Sequence, residues 1–215
     1  MISKELGRPR LLHAIAVVAL ACIWLAMLLY GGGPLDQSVY RALYTGGHPF
    51  WTGFARFFTA MGEPTALIGA ALICALLMWH EKRGRLGLML LAVTMIGRIL
   101  GNLQKYWIAR PRPSLEPHLV IVKTSSFPSG HATSSMIFYV TLAIFVMSGT
   151  RWSRPIVLCA LLLSLLIGTS RVMLGVHWPS DVIGGWAFGG LWVLLTIPLA
   201  ERVSAADSRR ISKQL

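Results

Sequence analysis

Six apolar runs, each near the length of a bilayer crossing, divide this chain, and its polar residues gather in the connections between them. Taking roughly 17–25 apolar residues as one crossing predicts membrane-spanning helices at 11–30, 65–79, 86–104, 132–147, 155–172 and 182–199. The second and fourth are short, so they need a locally thinned bilayer or extension through flanking residues such as 57–62. Between the first two runs, Phe50, Trp51, Phe54, Phe57, Phe58 and Met61 recur at helical spacing within residues 31–63. That spacing predicts one or two amphipathic helices along the outer interface, serving as an aromatic belt or as a wall that guides a lipid. No linker or internal repeat interrupts the pattern. Residues 1–215 therefore read as a single all-α, polytopic membrane domain, with the motif-bearing core at about 86–199.

Composition supports this reading. Of 215 residues, 55% are hydrophobic and only 13% charged, and the mean hydropathy is +0.63, too apolar for a soluble domain of this length. The formal net charge of +12 does not mark a nucleic-acid binder, because the basic residues are split among short connections instead of covering one face. Twelve of the 20 Lys and Arg residues fall in alternate connections: Lys4, Arg8, Arg10; Lys82, Arg83, Arg85; Arg151, Arg154; and Arg202, Arg209, Arg210, Lys213. These connections and both termini are expected in the cytoplasm of a cell inner (plasma) membrane. The first run continues uncharged to Tyr30, longer than a signal-peptide core, and is expected to be a retained helix. Cys22, Cys74 and Cys159 lie in separate apolar runs, where a small soft side chain is ordinary packing.

The opposite face holds the basic residues that topology leaves unexplained, in three polar groups. "KYWIARPRP" runs from Lys105 to Pro113, "PSGH" from Pro128 to His131, and "SRVMLGVHWPSD" from Ser170 to Asp181. The first group closes the third run and the second opens the fourth. The last group joins the fifth run to the sixth, so parity brings all three to one face. Lys105, Arg112 and Arg171 offer forked and compact cations, and Ser129 and Gly130 open a helix whose first amides lack partners. Together they suit a tetrahedral, multiply charged anion such as phosphate. Of the two histidines, one imidazole can attack phosphorus while the other protonates the leaving oxygen. Asp181, four residues after His177, can accept the ring N–H and aim the opposite nitrogen.

The pattern Lys105-x6-Arg112-Pro113, Pro128-Ser129-Gly130-His131, Ser170-Arg171-x5-His177-x3-Asp181 resembles the three-part signature of the type 2 phosphatidic acid phosphatase (PAP2) superfamily, which includes vanadium haloperoxidases. The six-run layout is similar to its membrane lipid phosphatase branch. The resemblance implies that His177 is a nucleophile forming a phosphohistidine, that Asp181 orients it, and that His131 is the general acid. It implies that Lys105, Arg112, Arg171, Ser129 and Gly130 hold the phosphoryl oxygens, with Ser170 as a further candidate. It also implies metal-independent chemistry, with no cofactor and no obligatory protein partner.

Position narrows the substrate to a lipid phosphate at head-group depth: phosphatidic acid, phosphatidylglycerol phosphate or undecaprenyl diphosphate. Lipid A dephosphorylation or phosphotransfer within the same fold are alternatives, and Arg110 and Lys123 are candidate helpers for a diphosphate or simple head-group anchors. A non-enzymatic lipid or anion transporter would sooner show broken helices or inverted repeats. A metal hydrolase would use His131, His177 and Asp181 as ligands. Arg98, inside the third predicted span, is expected to face the bundle or to pair with backbone carbonyls.

Overall fold

The computed structural model describes residues 10–147 and 150–211, so Lys4, Arg8 and Lys213 of the charge alternation lie outside the described residues. Eight helices and no strand occur among the described residues: α1 (Arg10–Tyr30), α2 (Pro34–Leu43), α3 (Pro49–Met61), α4 (Pro64–His80), α5 (Gly84–Ile108), α6 (Gly130–Met147), α7 (Ser153–Met173) and α8 (Pro179–Ile211). Pro34, Pro49 and Pro64 open α2, α3 and α4, where a missing N–H costs nothing and a fixed φ suits the first turn.

Four helices, α1, α5, α7 and α8, are long and apolar enough to cross a bilayer. α3 and α4 are bent by 45° at their junction and would bring the count to five if they form one broken span. Residues 57–61 end a separate helix, α3, which meets α4 at this angle. The segment 31–63 holds two helices, α2 and α3. α5 extends beyond the predicted 86–104 run because Lys105, which marks a polar end in the sequence, is buried in its last turns.

α6 is the shorter apolar helix, and its packing explains why. It contacts α4, α5, α7 and α8, and its N-terminus is roofed by Ser126, Phe127, Pro128 and Ser129, all buried. Ile137 and Phe145 pack against Leu86, Leu90 and Val93 of α5, while Met136, Val140 and Ala143 meet Ala160 of α7 and Val193 of α8. α1 has no buried residue in its span and lies outermost, against α8.

The approach of α8 to α6 decides where the polar groups meet. A Cβ on Gly185 would lie 2.9 Å from the Ser129 carbonyl oxygen, and one on Gly189 would lie 3.0 Å from that of Thr133. Two glycines one turn apart let the helix backbones nearly touch, which brings the chain before α8 over the first turn of α6. The Ser129 N–H then donates to the Asp181 carbonyl at 2.9 Å. Gly189→Leu is expected to force the helices apart at roughly 1–3 kcal/mol and lower the melting temperature in detergent. Gly53→Ala, which faces open space on α3, is expected to leave it unchanged.

Candidate active site

The site is organised around a carboxylate. Asp181, in the first turn of α8, is fully buried and accepts from four donors: Arg110 Nη1 at 2.9 Å, the Trp178 N–H at 2.9 Å, Ser126 Oγ, and His177 Nδ1 at 3.3 Å. Such a charge is tolerated inside a protein only when paired and hydrogen-bonded on every side.

Arg110 Nη1 also donates to Ser180 Oγ at 3.2 Å, its Nη2 donates to the carbonyls of Met27 at 2.8 Å and Leu28 at 2.7 Å, and its guanidinium sits 4.3 Å from the Phe127 ring centroid. It therefore fixes Asp181 from behind and ties it to the end of α1; it neither reaches the cavity nor serves as a head-group anchor. Asp36 of α2 completes the frame. Its Oδ1 accepts the Ser180 N–H at 2.9 Å, and its Oδ2 accepts from the Ser180 hydroxyl, capping the α8 N-terminus with negative charge.

This frame determines the state of His177. Arg112 Nη1 lies 3.3 Å from His177 Nε2, and a guanidinium can only donate, so Nε2 carries a lone pair. The ring proton is then on Nδ1, facing Asp181 and Ser126. Burial, reinforced by the charges of Lys105, Arg112 and Arg171 and by His131, holds His177 well below its ordinary pKa. The ring is neutral, with its basic nitrogen turned toward the cations.

That nitrogen faces a cavity of about 410 Å³ between α5, α6, the α3–α4 junction and the loop before α6. Lys105, Arg112, Gly130, His131, Arg171 and His177 all line it, so residues from three distant sequence groups share one space. Lys105 Nζ donates to the carbonyls of Ser125 at 2.8 Å and Ser126 at 3.1 Å. Arg112 is braced by Nε donating to the Thr124 carbonyl at 2.7 Å. Arg171 Nη1 donates to Thr59 Oγ1 at 2.6 Å, and its Nε is buried without a partner.

Ser129 and Ser170 stand apart from the cavity lining. Ser129 Oγ is buried and unpartnered, while the Ser170 hydroxyl donates to the Ile167 carbonyl of its own helix at 2.6 Å. As positioned here, Ser170 packs behind Arg171 and does not line the cavity.

Four residues with evident roles lie outside the sequence reading: Ser126, Asp36, Arg110 as a partner of Asp181, and Glu63. Glu63 Oε2 is 3.5 Å from His131 Nε2, so a half-exposed carboxylate at the start of α4 holds the second histidine. Of these only Arg110 falls within one of the three polar groups, "KYWIARPRP", and Ser126 lies two residues before Pro128. Among the described residues no three His, Cys, Asp or Glu side chains converge to hold a metal ion.

An all-helical membrane bundle with a cation-rich, histidine-bearing cavity at one end defines a class: an integral membrane phosphatase. The family profile described as the PAP2 superfamily matches residues 85–204, and this chain belongs to that family. It is 29% identical over 172 residues to phosphatidylglycerophosphatase B of Bacillus subtilis, covering 78% of this chain and 84% of that one. It is 38% identical over 144 residues to a lipid A 1-phosphatase of Rhizobium etli, covering 60% and 59%. Against an undecaprenyl-diphosphatase of Sulfolobus acidocaldarius it is 33% identical over 126 residues, covering 56% and 58%. The crystal structure of a transmembrane PAP2-type phosphatidylglycerolphosphate phosphatase from Bacillus subtilis superposes with a TM-score of 0.79 at 28% identity, covering 86% of this chain and 96% of that one.

Arg110→Met would leave Asp181 buried without its ion partner, a change that costs roughly 3–5 kcal/mol. The expected result is a lower melting temperature together with reduced phosphate release, although Arg110 does not line the cavity.

Proposed function

We propose that this PAP2 membrane phosphatase hydrolyses a lipid phosphate through a phosphohistidine on His177. The observation that carries the proposal is the neutral His177 ring, its Nε2 lone pair turned into a cavity lined by Lys105, Arg112 and Arg171.

In the first step the Nε2 lone pair attacks phosphorus and the P–O bond to the lipid breaks. The leaving oxygen takes its electron pair and a proton from His131. The Nδ1 proton stays on the ring, and Asp181 stabilises the positive charge that the ring gains on phosphorylation. In the second step water attacks phosphorus, His131 takes the water proton, and the P–N electron pair returns to Nε2. Lys105, Arg112, Arg171 and the first-turn amides at Gly130 neutralise the equatorial oxygens, the task that Mg²⁺ performs in many phosphoryl-transfer enzymes. Glu63 Oε2, 3.5 Å from His131 Nε2, holds the His131 ring.

The same reading sets the orientation. If α1, the bent α3–α4 pair, α5, α6, α7 and α8 each cross, six crossings leave both termini on one side. The Lys82–Arg85 and Arg151–Arg154 connections then assign that side to the cytoplasm and the cavity to the exterior or periplasmic face of the inner membrane. On this reading α2 lies along that outer interface. Relatives named for phosphatidylglycerophosphate, undecaprenyl diphosphate and lipid A support a lipid substrate whose chains stay in the bilayer.

Purified full-length protein in detergent is expected to release phosphate from a panel of lipid phosphates and to trap an acid-labile, base-stable phosphoryl label. His177→Ala is expected to abolish both, at a cost of at least about 10³-fold in rate. A folded His177→Ala protein with full turnover would overturn the mechanism.

Acidity gives a second check. Because His177 is held well below its ordinary value of 6.5, its nucleophilic form persists as pH falls through that value. The acid limb of kcat/KM that reports the free nucleophile is therefore expected below about pH 6.5. An acid limb above that value that is abolished with His177 would contradict the assignment.

A further inference from the structure

The cavity does not end at the catalytic layer. Below Lys105 on the same face of α5 come Asn102, one turn inward, and Arg98, two turns inward; Ser134 lies one turn inward from His131 on α6. All three line the cavity that holds His177, and none has a hydrogen-bond or ion-pair partner among the described residues. Ser134 is only 6% exposed.

Seven residues of helix set the Arg98 backbone about 10 Å deeper than that of Lys105. An arginine at such depth in a span is costly unless it is paired or faces a polar cavity. Here it faces the cavity. The one carboxylate in the lining, Glu63, is engaged with His131 and Thr65, so Arg98 has no resident counter-ion there.

We infer that Arg98, with Asn102 and Ser134, forms a second anion subsite for a phosphoryl group on the tail side of the one that is hydrolysed. This rests on the reading of the cavity as a lipid phosphatase site. With the reacting phosphate against His177 at the outer end of the helices and the hydrocarbon tail in the bilayer, anything between the two lies deeper. A lipid with one phosphate offers Arg98 nothing. A lipid diphosphate, or a lipid with two phosphates joined through glycerol, carries a second negative charge on the required side. The subsite thus selects two-phosphoryl lipids over monophosphates, and the forked guanidinium suits the second group's oxygens.

The test compares kcat/KM for phosphatidic acid, a polyprenyl diphosphate and phosphatidylglycerophosphate, using full-length wild type, Arg98→Gln and Arg98→Lys in mixed micelles. The readout is the ratio of each two-phosphoryl lipid to phosphatidic acid, which cancels any loss of folded protein. Arg98→Gln is expected to lower that ratio about tenfold or more, as for the loss of a charge-assisted hydrogen bond, and Arg98→Lys to restore part of it.

A drop for only one of the two lipids identifies whether the phosphates must be directly joined or glycerol-bridged, and either result supports the subsite. An equal loss on all three lipids, or no change on any, overturns it. Wild-type protein inactive on every lipid phosphate would instead overturn the phosphatase reading itself.

Discussion

The burial of one carboxylate organises this end of the molecule. Asp181 has no solvent exposure, so each of its lone pairs must find a donor, and the donors come from separate parts of the chain: Arg110 and Ser126 from the long loop, Trp178 and His177 from the turn before α8. Arg110 then carries the constraint to the end of α1 through two carbonyls, and Ser180 carries it to α2 through Asp36. A loop of some twenty residues without regular structure would otherwise be free to wander. Its fixed points are this ion pair, the Ser126 N–H donating to the Arg110 carbonyl at 2.9 Å, and the Leu119 N–H donating to the Leu174 carbonyl at 3.0 Å. His177 inherits its position from the same network, because the carboxylate beside its Nδ1 is the group that Arg110, Ser126 and the Trp178 N–H hold still.

What the sequence made legible follows from how local each signal is. Apolar runs of bilayer length are local, and α1, α5, α7 and α8 fall where hydropathy puts them, with ends shifted by a few residues except at the C-terminus of α8, which runs on to Ile211. The bend between α3 and α4 was invisible because the "MGEP" break resembles an ordinary loop within an apolar stretch. The motif residues could be grouped because parity around a bundle is also a simple rule, and Lys105, Arg112, Gly130, His131, Arg171 and His177 do share a cavity.

Supporting residues were harder to read. Arg110 looked like any interfacial cation, since its partner lies 71 positions away, and Asp36 sat in a segment with no motif. Glu63 sits at the break between two apolar helices with no motif around it, 68 positions before His131, its partner in the fold. Ser170 is a position inside a matched motif whose hydroxyl donates within its own helix. Charge pairing between distant segments is the information that periodicity does not carry.

The electrostatics of the cavity form one argument. Arg98, Lys105, Arg112, Lys123 and Arg171 line it against a single carboxylate, Glu63, so in the absence of an anion these cations repel one another in a partly desolvated space. Two consequences arise from the same repulsion. A protonated His177 would add to it, so the ring stays neutral. A multiply charged anion relieves it, so binding is strongest for the ligands with most negative charge near the most cations. The arrangement therefore favours an anionic ligand in the cavity and an uncharged His177 ring beside it, with Asp181 paired to Arg110 behind that ring.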